Sequence, residues 1–155
     1  MQSSSKAAIF ATLAPEIGRA VKSAPDLDSA YRSVVKLMAA RVPHFNWTGI
    51  YLLEGDTLVL HNFVGRPTEH THIPVGRGVC GAAVAEKRNI IVEDVTKHEN
   101  YLACSLETRS EIVVLIKDGA KIIGQIDVDS DTVGAFDAED ERFLGLVARL
   151  LAERA

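Results

Sequence analysis

Apolar residues recur at Ile9, Leu13, Ile17 and Val21, the spacing of one helical face, and predict a helix over about residues 5–23. Pro25 ends it, and Asp26 and Asp28 are cap candidates for a second helix marked by Tyr31, Val34, Val35, Leu37 and Met38, stopping near Val42-Pro43. Both helices are amphipathic, so each must lay one face on another element. The pattern then shifts to strands. Residues 47–53 read as a strand, Glu54-Gly55-Asp56 as a turn, and residues 57–64 as the returning arm of a hairpin. A polar loop over residues 65–72 leads into a third short strand over residues 72–75. Gly76-Arg77-Gly78 interrupts the chain, residues 79–87 read as a short Ala-rich helix, and Ile90-Ile91-Val92 as a buried strand. Residues 94–109 carry no clear period, and irregular stretches this long in compact domains are often functional. Residues 111–116 and 121–129 form a second hairpin about Asp118-Gly119. A last helix spans residues 138–153, with Asp137 as its N-cap and Asp140 an acid at its third position.

This order predicts an α+β domain spanning residues 1–155. A central, mostly antiparallel six-stranded sheet carries the N- and C-terminal helices on one face, and loops plus a short helix on the other. Composition narrows the function. The 155 residues are 47% hydrophobic and 25% charged, an ordinary globular balance. The formal net charge of -4, with no basic stripe, argues against nucleic acid as a partner. No apolar run approaches the roughly 20 residues needed to cross a bilayer, and residues 1–6 lack the order of a secretory signal, so a cytoplasmic location is expected. In a reducing compartment the two cysteines, Cys80 and Cys104, are either inert core residues or redox-active thiols.

Five ordered motifs bear on that choice: Trp47-Thr48-Gly49-Ile50-Tyr51, Gly76-Arg77-Gly78-Val79-Cys80-Gly81, Leu102-Ala103-Cys104, Ser110-Glu111-Ile112-Val113-Val114 and Ile126-Asp127-Val128-Asp129-Ser130. Together, over residues 45–143, they resemble the free methionine-(R)-sulfoxide reductases, enzymes of the GAF fold. The resemblance implies a thiol-dependent reductase that converts free L-methionine (R)-sulfoxide to L-methionine through a cysteine sulfenic acid and a disulfide. It implies Cys104 as nucleophile and Cys80 in the recycling set. It implies Trp47 and Tyr51 as walls of the substrate pocket, and Glu111, Asp127 and Asp129 as the acids that hold and polarise the substrate. It further implies a thioredoxin-like reductant, a homodimer, and no cofactor, whether metal, nucleotide or flavin. The chain departs from the family at His70, where a third, recycling cysteine is usual, and at Leu115, where proline is usual.

The residues themselves permit this chemistry. A thiolate attacks the sulfoxide sulfur, an acid protonates the departing oxygen, and a second thiol condenses with the resulting sulfenic acid. Asp127 and Asp129, two apart on one strand, face the same side, and Glu111 sits on the partner strand of that hairpin. Carboxylates crowded together repel, so at least one tends to keep its proton. Other readings stand beside this one. The cysteines can be small core residues, Trp47 and Tyr51 ordinary packing, and Asp127 and Asp129 a solvated strand face. His61, His70, His72 and His98 make no metal-ligand pattern with the cysteines. A non-catalytic GAF module that binds a small ligand or senses redox state is the alternative function.

Overall fold

The computed structural model describes residues 3–98 and 106–155. Two helices, α1 (Ser3–Ser23) and α2 (Leu27–Arg41), precede strands β1 (Trp47–Glu54), β2 (Thr57–Val64) and β3 (His72–Pro74). A short helix α3 (Gly78–Glu86) and strand β4 (Ile90–Val92) follow. Strands β5 (Ser110–Asp118) and β6 (Lys121–Ser130) then lead to the final helix α4 (Ala138–Glu153). The predicted elements are all present, with ends displaced by a few residues. Asp26, not Asp28, caps α2, its side chain accepting from the Ser29 backbone N–H at 2.7 Å. Asp28 instead pairs with Arg32 and His61. Among the described residues, the stretch expected to be irregular contains a 3-10 turn, Val95–Lys97, capped by Asp94. α1 runs through Pro15, whose ring removes a backbone donor; the proline sits on the exposed side, where water can serve the freed carbonyl.

The six strands form one sheet in the order β3-β2-β1-β6-β5-β4, and every neighbouring pair is antiparallel. Strand alternation sorts its two faces. Ile50, Ile112, Val114, Ile116, Ile126 and Val128 point to one side and join Leu13, Ile17, Val34, Met38, Leu144 and Leu151 of α1, α2 and α4 in the main core. Trp47, Tyr51, Val113 and Leu115 point to the other side and form a second core with Val79, Cys80 and Ala83 of α3. A bulge between Ile50 and Tyr51 shifts the β1–β2 register, but the β1–β6 register is unbroken, so Trp47 and Tyr51 keep one face.

The helical layer is closed by a buried ionic cluster. Lys6 Nζ donates to Asp140 Oδ2 at 2.6 Å and to the Ala135 carbonyl at 2.7 Å, and it lies 3.4 Å from Asp137. His44 Nε2 sits 2.6 Å from the other Asp140 oxygen. Asp140 also accepts from the Asp137 backbone N–H, completing the capping box at the start of α4. One carboxylate thus joins α1, the α2–β1 connection and α4.

Lys6 is 2% exposed and Asp140 wholly buried. Removing one partner of a buried pair strands the other charge. Asp140→Ala is therefore expected to lower unfolding free energy by roughly 3–5 kcal/mol, read from chemical denaturation. A loss below about 1 kcal/mol would mean that the cluster does not hold the layer together.

Candidate active site

Glu111 of β5 pairs in register with Asp129 of β6, and Asp127 pairs with Val113 one step along. All three carboxylates therefore project from the face opposite the main core. α3 lies across that face, and its first turn carries Cys80. Two contacts hold the turn in place. Gln125, two residues before Asp127 and wholly buried, donates from Nε2 to the Cys80 carbonyl at 3.0 Å. Gly81 allows the turn to press on the end of β3, for a Cβ there would sit 2.6 Å from the Pro74 carbonyl oxygen.

The result is a narrow cleft with Tyr51, His70, Cys80, Glu111 and Asp127 in its walls and Arg77, the residue preceding α3, also along it. The Cys80 thiol lies 3.9 Å from Glu111 Oε2. The Tyr51 hydroxyl donates to the His70 carbonyl at 2.8 Å and ties β1 to the loop before β3. Asp127 is 1% exposed, and neither of its oxygens lies in hydrogen-bonding geometry with a donor. Burial pushes its pKa above the ordinary carboxylate value of 3.8, while the nearby Glu111 and Cys80 side chains act in the opposite sense. The raised direction prevails because desolvation is the largest influence on this fully enclosed group.

The sequence-predicted residues divide as follows. Tyr51, Cys80, Glu111 and Asp127 converge on the cleft. Trp47 and Asp129 are buried on the same sheet face, yet neither is among the residues lining it. Trp47 lies beside Tyr51, stacks on Phe63 at 5.5 Å between ring centroids, and donates its indole N–H to the Arg66 carbonyl. Gly49 makes room for that indole; a Cβ would approach it to 2.5 Å. Asp127 and Asp129 do not form a solvated strand face, because both are 1% exposed. Cys104 lies outside the described residues. Arg66 ion-pairs with Glu107, just beyond that segment, and with Asp131 after β6.

Three participants went unassigned in the sequence: Gln125, Arg77 and the His70 carbonyl. Gln125 continues the alternation of Asp127 and Asp129 on β6, so period two alone places it on the site face. Arg77 lies within a quoted motif that reads most simply as a tight turn.

Residues 26–154 match the GAF domain family. Over 115 residues the chain is 46% identical to the free methionine-R-sulfoxide reductase of Escherichia coli K12, covering 74% of this chain and 69% of that one. It is 41% identical over 122 residues to GAF domain-containing protein A of Dictyostelium discoideum, covering 77% of each. The X-ray structure of free methionine-R-sulfoxide reductase from Neisseria meningitidis in complex with its substrate superposes with a TM-score of 0.91 at 36% identity, covering 96% of this chain and 89% of that one.

Asp127 has a measurable consequence for stability. With its pKa raised in the folded state, the native protein keeps a proton that the unfolded chain gives up above about pH 3.8. Stability from this group therefore falls as pH rises from that value through the folded pKa, and is level above it. The groups facing it are Glu111 from β5 and Cys80 from α3, with His70 and Arg77 along the same cleft. Asp127→Asn should remove this slope and raise neutral-pH stability. Denaturation midpoints measured across that range test it. Parallel pH profiles for the two proteins would contradict it.

Proposed function

The chain belongs to the GAF domain family and, within it, to the free methionine-R-sulfoxide reductases, and from this footing we propose that it reduces free L-methionine (R)-sulfoxide with Cys104 as nucleophile. The observation that carries the reading is the convergence of Tyr51, Cys80, Glu111 and Asp127 on one small cleft. A free amino acid sulfoxide needs what these side chains offer: an aromatic wall for its cationic groups, carboxylates for its ammonium group, and a proton for its oxygen. Arg77 at the same cleft supplies a cation for the substrate carboxylate.

In the proposed reaction the Cys104 thiolate attacks the sulfoxide sulfur. The oxygen takes a proton from the Glu111–Asp127 pair and passes to the cysteine, which becomes a sulfenic acid, and methionine departs with its sulfur reduced by two electrons. The Cys80 thiol condenses with the sulfenic acid, releasing water and forming a disulfide. A thioredoxin-like dithiol then restores both thiols. Direct resolution requires Cα atoms within about 7 Å after loop movement. Asp129 and Trp47 support the site from beside the cleft: Asp129 adds negative charge next to Glu111, and Trp47 backs Tyr51. A cytoplasmic location agrees with thiol chemistry of this kind, and among the described residues no helix is long and apolar enough to cross a membrane. A homodimer remains part of the proposal by family likeness.

Single-turnover and steady-state rates on free methionine sulfoxide test the reading. Cys104→Ser should abolish reduction. Cys80→Ser should retain one stoichiometric turnover and lose thioredoxin-supported cycling. Asp127→Asn should slow the chemical step by about 10²–10⁴-fold. His70→Cys should quicken recycling and leave the chemical step unchanged. A wild-type protein with reduced thiols that releases no methionine in one turnover would favour the non-catalytic ligand-binding or redox-sensing module instead.

A further inference from the structure

Among the described residues, one set of three side chains has the composition and proximity of a metal site. Cys80, Glu111 and Asp127 each place a ligand atom within 4.8 Å of the other two, and all three are buried. They come from three elements, α3, β5 and β6, so no spacing along the chain announces them. We propose that they bind a divalent cation of borderline softness, with Zn²⁺ the fitting ion, and that this cation and methionine sulfoxide exclude one another from the cleft. The second clause rests on the reductase reading; the first does not.

The donor set selects the ion. Mg²⁺ and Ca²⁺ prefer oxygen alone, whereas Zn²⁺ accepts thiolate and carboxylate together in a tetrahedron. Three protein ligands leave a fourth position for water, an open site. With Zn–S near 2.3 Å and Zn–O near 2.0–2.2 Å, neighbouring ligand atoms of a tetrahedron stand roughly 3.3–3.6 Å apart. Cys80 Sγ and Glu111 Oε2 already lie 3.9 Å apart. A side-chain adjustment of about 1 Å brings in the third ligand at that bond length, with the sheet backbone unmoved.

Asp127 supplies an independent reason for an occupant. Its two oxygens are enclosed at the cleft and lack a donor in hydrogen-bonding geometry, a costly state for a buried carboxylate. A cation satisfies them and offsets the cost of their burial. On binding, the Cys80 thiol bonds to the metal through sulfur and releases its proton to solvent, as does any carboxyl that holds one. Cys80 and Asp127, both required by the proposed reductase cycle, are then withheld from it.

The test uses the full chain, reduced with a phosphine that is then removed, and Co²⁺ as a spectroscopic stand-in for Zn²⁺. The expected result is one ion per chain with a thiolate-to-cobalt charge-transfer band, lost on adding Zn²⁺. The band should persist in Cys104→Ser and disappear in Cys80→Ser, and Asp127→Asn should weaken binding by at least about tenfold. Absence of a sulfur band, or a band kept in Cys80→Ser and lost in Cys104→Ser, overturns the site. Free methionine sulfoxide should displace the ion from the Cys104→Ser protein, in which it cannot oxidise Cys80 to a disulfide. Cys80-dependent binding that is indifferent to methionine sulfoxide would leave the metal site standing and overturn the mutual exclusion.

Discussion

Two carboxylates, Glu111 and Asp127, stand diagonally across adjacent strands inside the protein, and the surrounding structure has to hold them there against their hydration. Isolated charges at that depth would leave the interior or take up protons. The antiparallel β5–β6 register prevents escape. Each acid alternates along its strand with residues such as Ile112 and Val128 that are locked in the main core beneath α1, α2 and α4. A slip of one residue would bury the acids among those apolar groups and expose the core. The sheet thus spends the stability of its helical face on holding a chemically strained opposite face.

That division explains why a second buried ionic cluster lies so far from the cleft in role. Lys6, His44 and Asp140 secure the helical layer with opposite charges in direct contact, both Asp140 oxygens being engaged. Around Asp127, in contrast, the nearest partners are another acid and a thiol. The first arrangement suits a fastening, the second a site that waits for a charged occupant. A zwitterionic sulfoxide and a divalent cation are two answers to the same local electrostatics.

The fold was largely legible in the sequence because period and punctuation agreed. Leu13, Ile17 and Val21 keep helical spacing, Ile126-Asp127-Val128-Asp129 alternates cleanly, and Asp137 with Asp140 spells a capping box that the structure contains. The passage of α1 through Pro15 was not legible, since it depends on which side of the helix meets solvent. The site was legible only as far as strand parity reaches. Parity placed Asp127 and Glu111 on one face, but it also placed Trp47 and Asp129 there, and the cleft does not open on either. What separates them is the position of α3, which depends on the Gln125–Cys80 contact and the close approach at Gly81. The first joins residues 45 apart in the chain, and the second depends on how the chain folds back between Pro74 and Gly81, so no periodicity encodes either.

The central claim is that this cleft receives free methionine sulfoxide. Backbone amide shifts of the Cys104→Ser protein, followed by NMR during titration with the (R) epimer of free methionine sulfoxide, address it directly. The account predicts saturable shifts centred on Tyr51, Cys80, Glu111 and Asp127, and none from an N-acetylated or peptide-bound sulfoxide. Shifts that cluster elsewhere, or that appear equally with the blocked compounds, would contradict it.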